Sequence, residues 1–154
     1  VNDKMPQVKT LVVDDWQYMS SFEYFDRANE KGYDKFTQIA ANLAMVAKLP
    51  KDLRDDLTVI FLTHSEDSTD INGNRKIKAK TIGKMIDNTL TLEGLFSIVL
   101  FGKVNKNDDG VLEYGFETQN SGENTCKSPM GMFEDNFIPN DLKFVKDCIE
   151  EYNK

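Results

Sequence analysis

The sequence predicts an α/β fold built on a mainly parallel sheet and closed by an antiparallel C-terminal hairpin. Three observations carry this expectation. Leu11-Val12-Val13 and the run LTVIFL from Leu57 to Leu62 are unbroken apolar stretches, the mark of parallel strands covered on both faces. The chain between them repeats apolar residues at helical spacing, so strands and crossover make a right-handed βαβ unit. Further on, Leu112, Tyr114 and Phe116 alternate after Asn107-Asp108-Asp109-Gly110, as in a half-exposed antiparallel strand that follows a turn.

Each element follows in order. Lys9 to Val13 forms the first strand and runs into paired carboxylates, Asp14 and Asp15. Trp16 to Glu30 reads as a helix with Tyr18, Phe22 and Phe25 on one stripe at helical spacing, ended by Gly32. A second helix spans about Asp34 to Lys48, with Phe36, Ile39, Ala40, Leu43, Val46 and Ala47 at helical intervals. Asp34 is suited to cap it and Pro50 to stop it. The second strand, Leu57 to Leu62, ends in Thr63, His64, Ser65 and Glu66. A polar stretch from Asp67 to Lys80, with an Asn72-Gly73 turn, is expected to be a mobile loop or a loose hairpin. A short helix should follow from about Thr81 to Thr91, then a third apolar strand, Leu95 to Val104, and the alternating strand Val111 to Thr118. The last helix, capped near Asn140 or Asp141, should pack through Leu142, Val145, Ile149 and Tyr152.

The 154 residues suit one domain, 1–154. With 40% hydrophobic and 10% aromatic residues the composition is globular, and no apolar run is long enough to span a bilayer. Val1 fits either removal of an initiator Met or a fragment boundary, and no leader-like segment follows it, so a cytoplasmic protein is expected. Cys126 and Cys148 lie far apart, as reduced thiols do, and a lone histidine, His64, argues against zinc. A net charge of −7 excludes a surface that is basic throughout. One window departs from it: Arg75, Lys76, Lys78, Lys80 and Lys84 occur with no acid among them.

The candidate site residues follow from position. Strands of a parallel sheet present ligands at their carboxyl ends, where Asp14 and Asp15 fall beside Thr63 and His64 if the two strands are neighbours. A fixed carboxylate suits a hydrated magnesium on a phosphate chain, and a second acid suits a water aligned for attack. The structural alternative is that acids favour the start of a helix, where its dipole stabilises them. His64 is either a hydrogen-bonded spacer or a polar group facing a terminal phosphate. The basic window is either a solvated loop or a contact for a nucleic-acid backbone; lacking interleaved aromatics, it offers no stacking platform. Ser68 to Gly73 and Asn105 to Gly110 echo calcium loops, but Ala79 and Phe116 replace the bidentate acid at the last ligand position.

Taken together, TLVVDDWQYM, VIFLTHSE, the basic loop running into KTIGKMIDN, LFSIVLFG and CKSPMGMF resemble the RecA-core P-loop ATPases, and among these the phage-encoded AAA-type, recombination-associated ATP-binding proteins. The resemblance covers about Lys9 to Tyr152. It implies a RecA-like three-layer core, with Asp14 as the Walker B aspartate that binds Mg2+ and Asp15 as the acid that activates water. It also implies that Thr63 and His64 lie in the sensor region. The loop from Asp67 to Lys80 would contact single-stranded DNA, and Lys127 would be a basic residue able to reach a nucleotide across a subunit boundary. ATP and Mg2+ are the implied cofactors, a homo-oligomer in the cytoplasm of a phage-infected bacterial cell the implied context, and no membrane is involved.

The sequence departs from that family in one large respect. The glycines form no GxxxxGK[ST] loop, whose backbone N–H groups and lysine cradle phosphates. The expectation is therefore a partial RecA-like ATPase domain, as a fragment, a separately encoded half or a degenerate relative, that binds nucleotide poorly alone. The competing expectation is a non-catalytic half-domain serving as a protein-binding or inhibitory module. A two-metal phosphohydrolase lacks the further acids and histidines it would need.

Overall fold

A computed structural model describes residues 2–69, 71–81 and 91–154. The helix expected over 81–91 falls mainly outside them, and so does Lys84. The fold is mixed α/β with small sheets, and the chain forms two compact units, Val1–Glu66 with Ala79–Leu95, and Asp67–Lys78 with Phe96–Lys154.

In the first unit, β1 (Thr10–Val13) and β2 (Thr58–Phe61) pair in parallel, from Thr10 opposite Thr58 to Val13 opposite Phe61. The crossover holds α1 (Gln17–Asp26), α2 (Asp34–Lys48) and a 3-10 turn, Leu49–Asp52. Helix α2 has its expected bounds because Ile39, Leu43 and Ala47 return to one side every turn, and all three are buried. Asp34 does not cap it: Tyr33 holds the cap position without a side-chain bond, and Asp34 opens the first turn, where its charge suits the helix dipole.

The aromatic stripe of α1 faces outward. Tyr18, Phe22 and Phe25 are 42%, 64% and 69% exposed, and the buried residues of the helix are Gln17 and Ser20. The reason is which face meets α2. Asn42 Nδ2 donates to Glu23, the Arg27 guanidinium bonds Glu23, Glu30 and Gln38, and the Tyr24 and Phe36 rings lie 5.9 Å apart. Buried Lys35 ties the connection together by donating to the carbonyls of Arg27 and Glu30 at 3.2 and 2.9 Å. The 23/24/27 side of α1 is thereby committed to its neighbour, leaving the 18/22/25 side uncovered.

β3 (Ser65–Thr69) and β4 (Arg75–Ala79) pair as a two-stranded sheet. The stretch expected as a mobile loop or loose hairpin is thus a hairpin, and Gly73, at φ +84, takes the left-handed turn position. In the second unit β5 (Phe101–Lys106), β6 (Leu112–Glu117) and β7 (Phe137–Pro139) form an antiparallel sheet. The apolar run from Leu95 therefore does not supply a further parallel strand; among the described residues parallel pairing is confined to β1 and β2. The tight turn after Lys106 explains this. Asn107 Oδ1 accepts from Val111 N–H at 2.9 Å and Gly110 sits at φ +77, so β5 meets its nearest neighbour in the chain.

Helix α3 (Leu142–Tyr152) is capped by Asp141, whose Oδ1 accepts from Lys143 N–H at 2.8 Å. Val145 is buried as expected, but Leu142 and Tyr152 are exposed. The core of the first unit includes Trp16, Ile39, Leu43, Ala47, Leu57 and Leu92, and that of the second Cys126, Met132, Ile138 and Val145. No helix among the described residues is long and apolar enough to cross a membrane.

Candidate functional site

The parallel pair sets the site by bringing two chain turns side by side. Beyond the last paired residues, Leu62 N–H donates to the Val13 carbonyl at 2.9 Å and Trp16 N–H donates to the Leu62 carbonyl at 3.2 Å. The Asp14-Asp15 turn is thus fastened against the start of Thr63-His64. Trp16 is buried and meets Phe61 edge-on at 5.2 Å, which anchors the turn from below.

Asp15 adopts φ +46, the one non-glycine residue in the left-handed region among the described residues. Such a backbone costs of order 1–3 kcal/mol and persists where surroundings impose it. Here its carbonyl accepts from Tyr18 N–H at 2.9 Å, opening α1, and its side chain is held twice. His64 Nε2 lies 3.2 Å from Asp15 Oδ1, and Gln17 Nε2 donates to the same oxygen at 3.4 Å. The Tyr18 ring meets the His64 imidazole edge-on at 6.0 Å. Asp15 and His64 are about half exposed, at 47% and 53% of their side chains, so the pair is reachable by solvent and solutes.

Gln17 was not legible as a site residue. It is 5% exposed, and its Oε1 is buried with no hydrogen-bond partner among the described residues. Its amide orientation is dictated by Asp15, because turning it over would set two acceptors against each other. Its signal in the sequence is a polar side chain in the first turn of an amphipathic helix, which the more conspicuous Tyr18, Phe22 and Phe25 spacing masked.

The other candidates divide between the units. Asp14 is exposed, and no described residue bonds its carboxylate. Thr63 Oγ1 donates to the His64 carbonyl at 3.3 Å, and the Lys80 N–H donates to that carbonyl at 2.8 Å. Asp14, Asp15, Thr63, His64 and Lys80 are therefore all in the first unit. Arg75, Lys76 and Lys78 lie on β4 within the second unit. Alternation along the strand sets Lys76 and Lys78 on one face and Arg75 on the other, where Arg75 Nε donates to Asp67 at 2.7 Å and holds that carboxyl below its ordinary range. Lys127, also in the second unit, forms an isolated antiparallel bridge with Val99, at 2.8 and 3.0 Å.

The donor set limits what this site can hold. Among the described residues no three His, Cys, Asp or Glu side chains converge to hold a metal ion. Asp14 suits a magnesium that keeps most of its waters and is bound by one carboxylate and substrate phosphates. The absence of a GxxxxGK[ST] loop in the sequence leaves no phosphate cradle to match it. Asp14 offers a single carboxylate to a cation, and the sequence offers no glycine-rich loop to a phosphate. No protein-family model, no curated protein and no solved structure matches the chain.

Proposed function

We propose that the chain is the metal- and water-handling part of a RecA-like ATPase module of phage DNA recombination or replication, active when joined to a segment carrying the phosphate loop. One observation carries this reading: an Asp14 carboxylate that no described residue bonds stands beside an Asp15 held by His64 and Gln17, at the carboxyl ends of two parallel strands. Asp14 helps hold the magnesium, whose charge stabilises the phosphates when it is bound. Asp15, with one oxygen fixed, orients the attacking water through the other. Thr63 or His64 senses the terminal phosphate, and Lys127 serves a neighbouring subunit's nucleotide in a homo-oligomer. Arg75, Lys76, Lys78, Lys80 and Lys84 contact single-stranded DNA, and the protein works in the cytoplasm of an infected bacterial cell. The test is ATP turnover by the chain joined to a phosphate-loop segment: Asp14→Ala should abolish it, and unchanged turnover would sink the assignment.

A specific observation favours a second reading. The exposed Tyr18, Phe22 and Phe25 stripe on α1 is the kind of apolar surface that marks a protein contact, as a non-catalytic protein-binding or inhibitory module would need. Calorimetry with ATP and Mg2+ on the chain joined to a phosphate-loop segment separates the two, since sub-millimolar binding there that Asp14→Ala weakens excludes a nucleotide-free module.

A further inference from the structure

The second unit contains a solvent-open hollow of about 160 Å3, lined by side chains from one face of its sheet and from the adjoining loop. Phe101 pairs with Glu117 and Glu117 with Phe137, so these share a face, and Asn105 joins them four residues along β5. Gly115 explains how the aromatic wall is seated: a Cβ there would lie 2.3 Å from Phe137 Cζ, so the ring edge occupies the space over the glycine.

The chemistry of the lining is specific. Both Glu117 oxygens are engaged, one by Lys103 Nζ at 2.6 Å and the other by Asn124, so the hollow offers no free charge. Gln119 Nε2 donates to Ser128, which leaves its Oε1 as an acceptor. Asn120 Oδ1 accepts from Gly122 N–H, which leaves its NH2 as a donor. The Asn105 and Asn136 amides bond no described residue, and each offers both functions. A volume below the about 300–1,000 Å3 of drug-sized pockets admits a single small ring system. A neutral, planar ring with donors and acceptors on its edge, stacked on one aromatic, is the description of a nucleobase.

We propose that this hollow binds one unpaired nucleobase, stacked on Phe137 and read by the amides of Asn105 and Asn136. The site shares no residue with the Asp14-Asp15 turn and needs neither phosphate nor metal. Its setting also suits a base carried by a single strand. Ile77 N–H donates to the Glu123 carbonyl at 2.7 Å, which ties β4, with Arg75, Lys76 and Lys78, to the loop that supplies Gln119 and Asn120. Phosphate-binding cations and a base-binding hollow are thereby anchored to one loop.

The test is an NMR titration of the full chain, without Mg2+, reading side-chain amide signals. Adenosine or cytidine at millimolar concentration should shift the signals of Asn105, Asn120 and Asn136, and glucose should not. Asn105→Ala, a half-buried surface change on β5, should weaken nucleoside binding at least about fivefold, as should Phe137→Leu. A short oligonucleotide that shifts the same signals, while its abasic counterpart does not, assigns the base to a single strand; shifts by the nucleosides alone assign a free nucleoside. The proposal is overturned if nucleosides leave these amides unmoved, if glucose or the abasic strand moves them equally, or if Asn105→Ala leaves the affinity unchanged. Because no ATP is used, these outcomes are independent of the nucleotide-site reading.

Discussion

His64 Nε2 and Asp15 Oδ1 lie 3.2 Å apart across the ends of two parallel strands, and Asp15 makes this contact from a left-handed backbone, φ +46. Asn visits that region readily, whereas a β-branched residue there is a genuine outlier. Asp15→Asn and Asp15→Val remove the same charge and differ in backbone tolerance. Urea denaturation should therefore find Asp15→Val less stable than Asp15→Asn by about 1–3 kcal/mol. Equal midpoints would mean that the turn is unstrained.

Gln17 should trade stability against function. Its buried Oε1 has no partner among the described residues, and an unsatisfied buried acceptor costs about 1–3 kcal/mol. Gln17→Leu removes that cost, while Asp15 remains free to bond water. Its thermal midpoint should match or exceed the parent's, while turnover in the chain joined to a phosphate loop falls. A clear loss of stability would show that Oε1 is satisfied in the folded protein.

The two glycines of the antiparallel sheet should respond in opposite directions. A Cβ at Gly115 meets Phe137 Cζ at 2.3 Å and the Ile138 carbonyl oxygen at 2.6 Å, whereas one at Gly102 meets only Phe116 Cε1 at 4.0 Å. Gly115→Ala should cost about 1–3 kcal/mol or more, since backbone must move. Gly102→Ala should be neutral or stabilising by up to about 1 kcal/mol, through the unfolded chain. Denaturant midpoints of the two variants check this.

The two thiols differ in burial. Cys126 is 3% exposed, and burial, with the Glu117 carboxylate adding to it, pushes its thiol up from 9.0 to about 11. A thiol-specific reagent should label Cys148 first, and Cys126 only at the rate of opening; Cys148→Ser isolates the slow phase. The raised value also sets a pH dependence. Above pH 9 the unfolded thiol ionises while the folded one stays protonated, so the unfolded state binds fewer protons and stability falls as pH rises from 9 to about 11. Cys126→Ala should flatten that part of the profile.

How much was legible depended on whether pattern and neighbour agreed. Helix α2 and the β1–β2 pair were readable because Ile39, Leu43 and Ala47 repeat at helical period and LTVIFL runs without polar breaks. On α1 the spacing identified a stripe but not what covers it; the contacts of Arg27 decided which side faced α2. The antiparallel hairpin was readable from the Asn107 to Gly110 turn and the alternation of Leu112, Tyr114 and Phe116, whereas a mainly parallel sheet was not met, because that turn pairs β5 with its nearest neighbour in the chain. Strand-end position in the sequence set Asp14 and Asp15 beside Thr63 and His64, and the structure brings Asp15 and His64 to 3.2 Å. Gln17 was missed because its importance lies in burial and an orphaned acceptor, neither of which a residue name reveals.

The most direct measurement is Mg2+-dependent ATP binding, by calorimetry, to the chain joined to a phosphate-loop segment, with and without Asp14→Ala. Sub-millimolar binding that Mg2+ strengthens is expected, with a loss of that strengthening by at least about tenfold in Asp14→Ala. Binding with the same Mg2+ dependence in both proteins, or no binding in either, would contradict it.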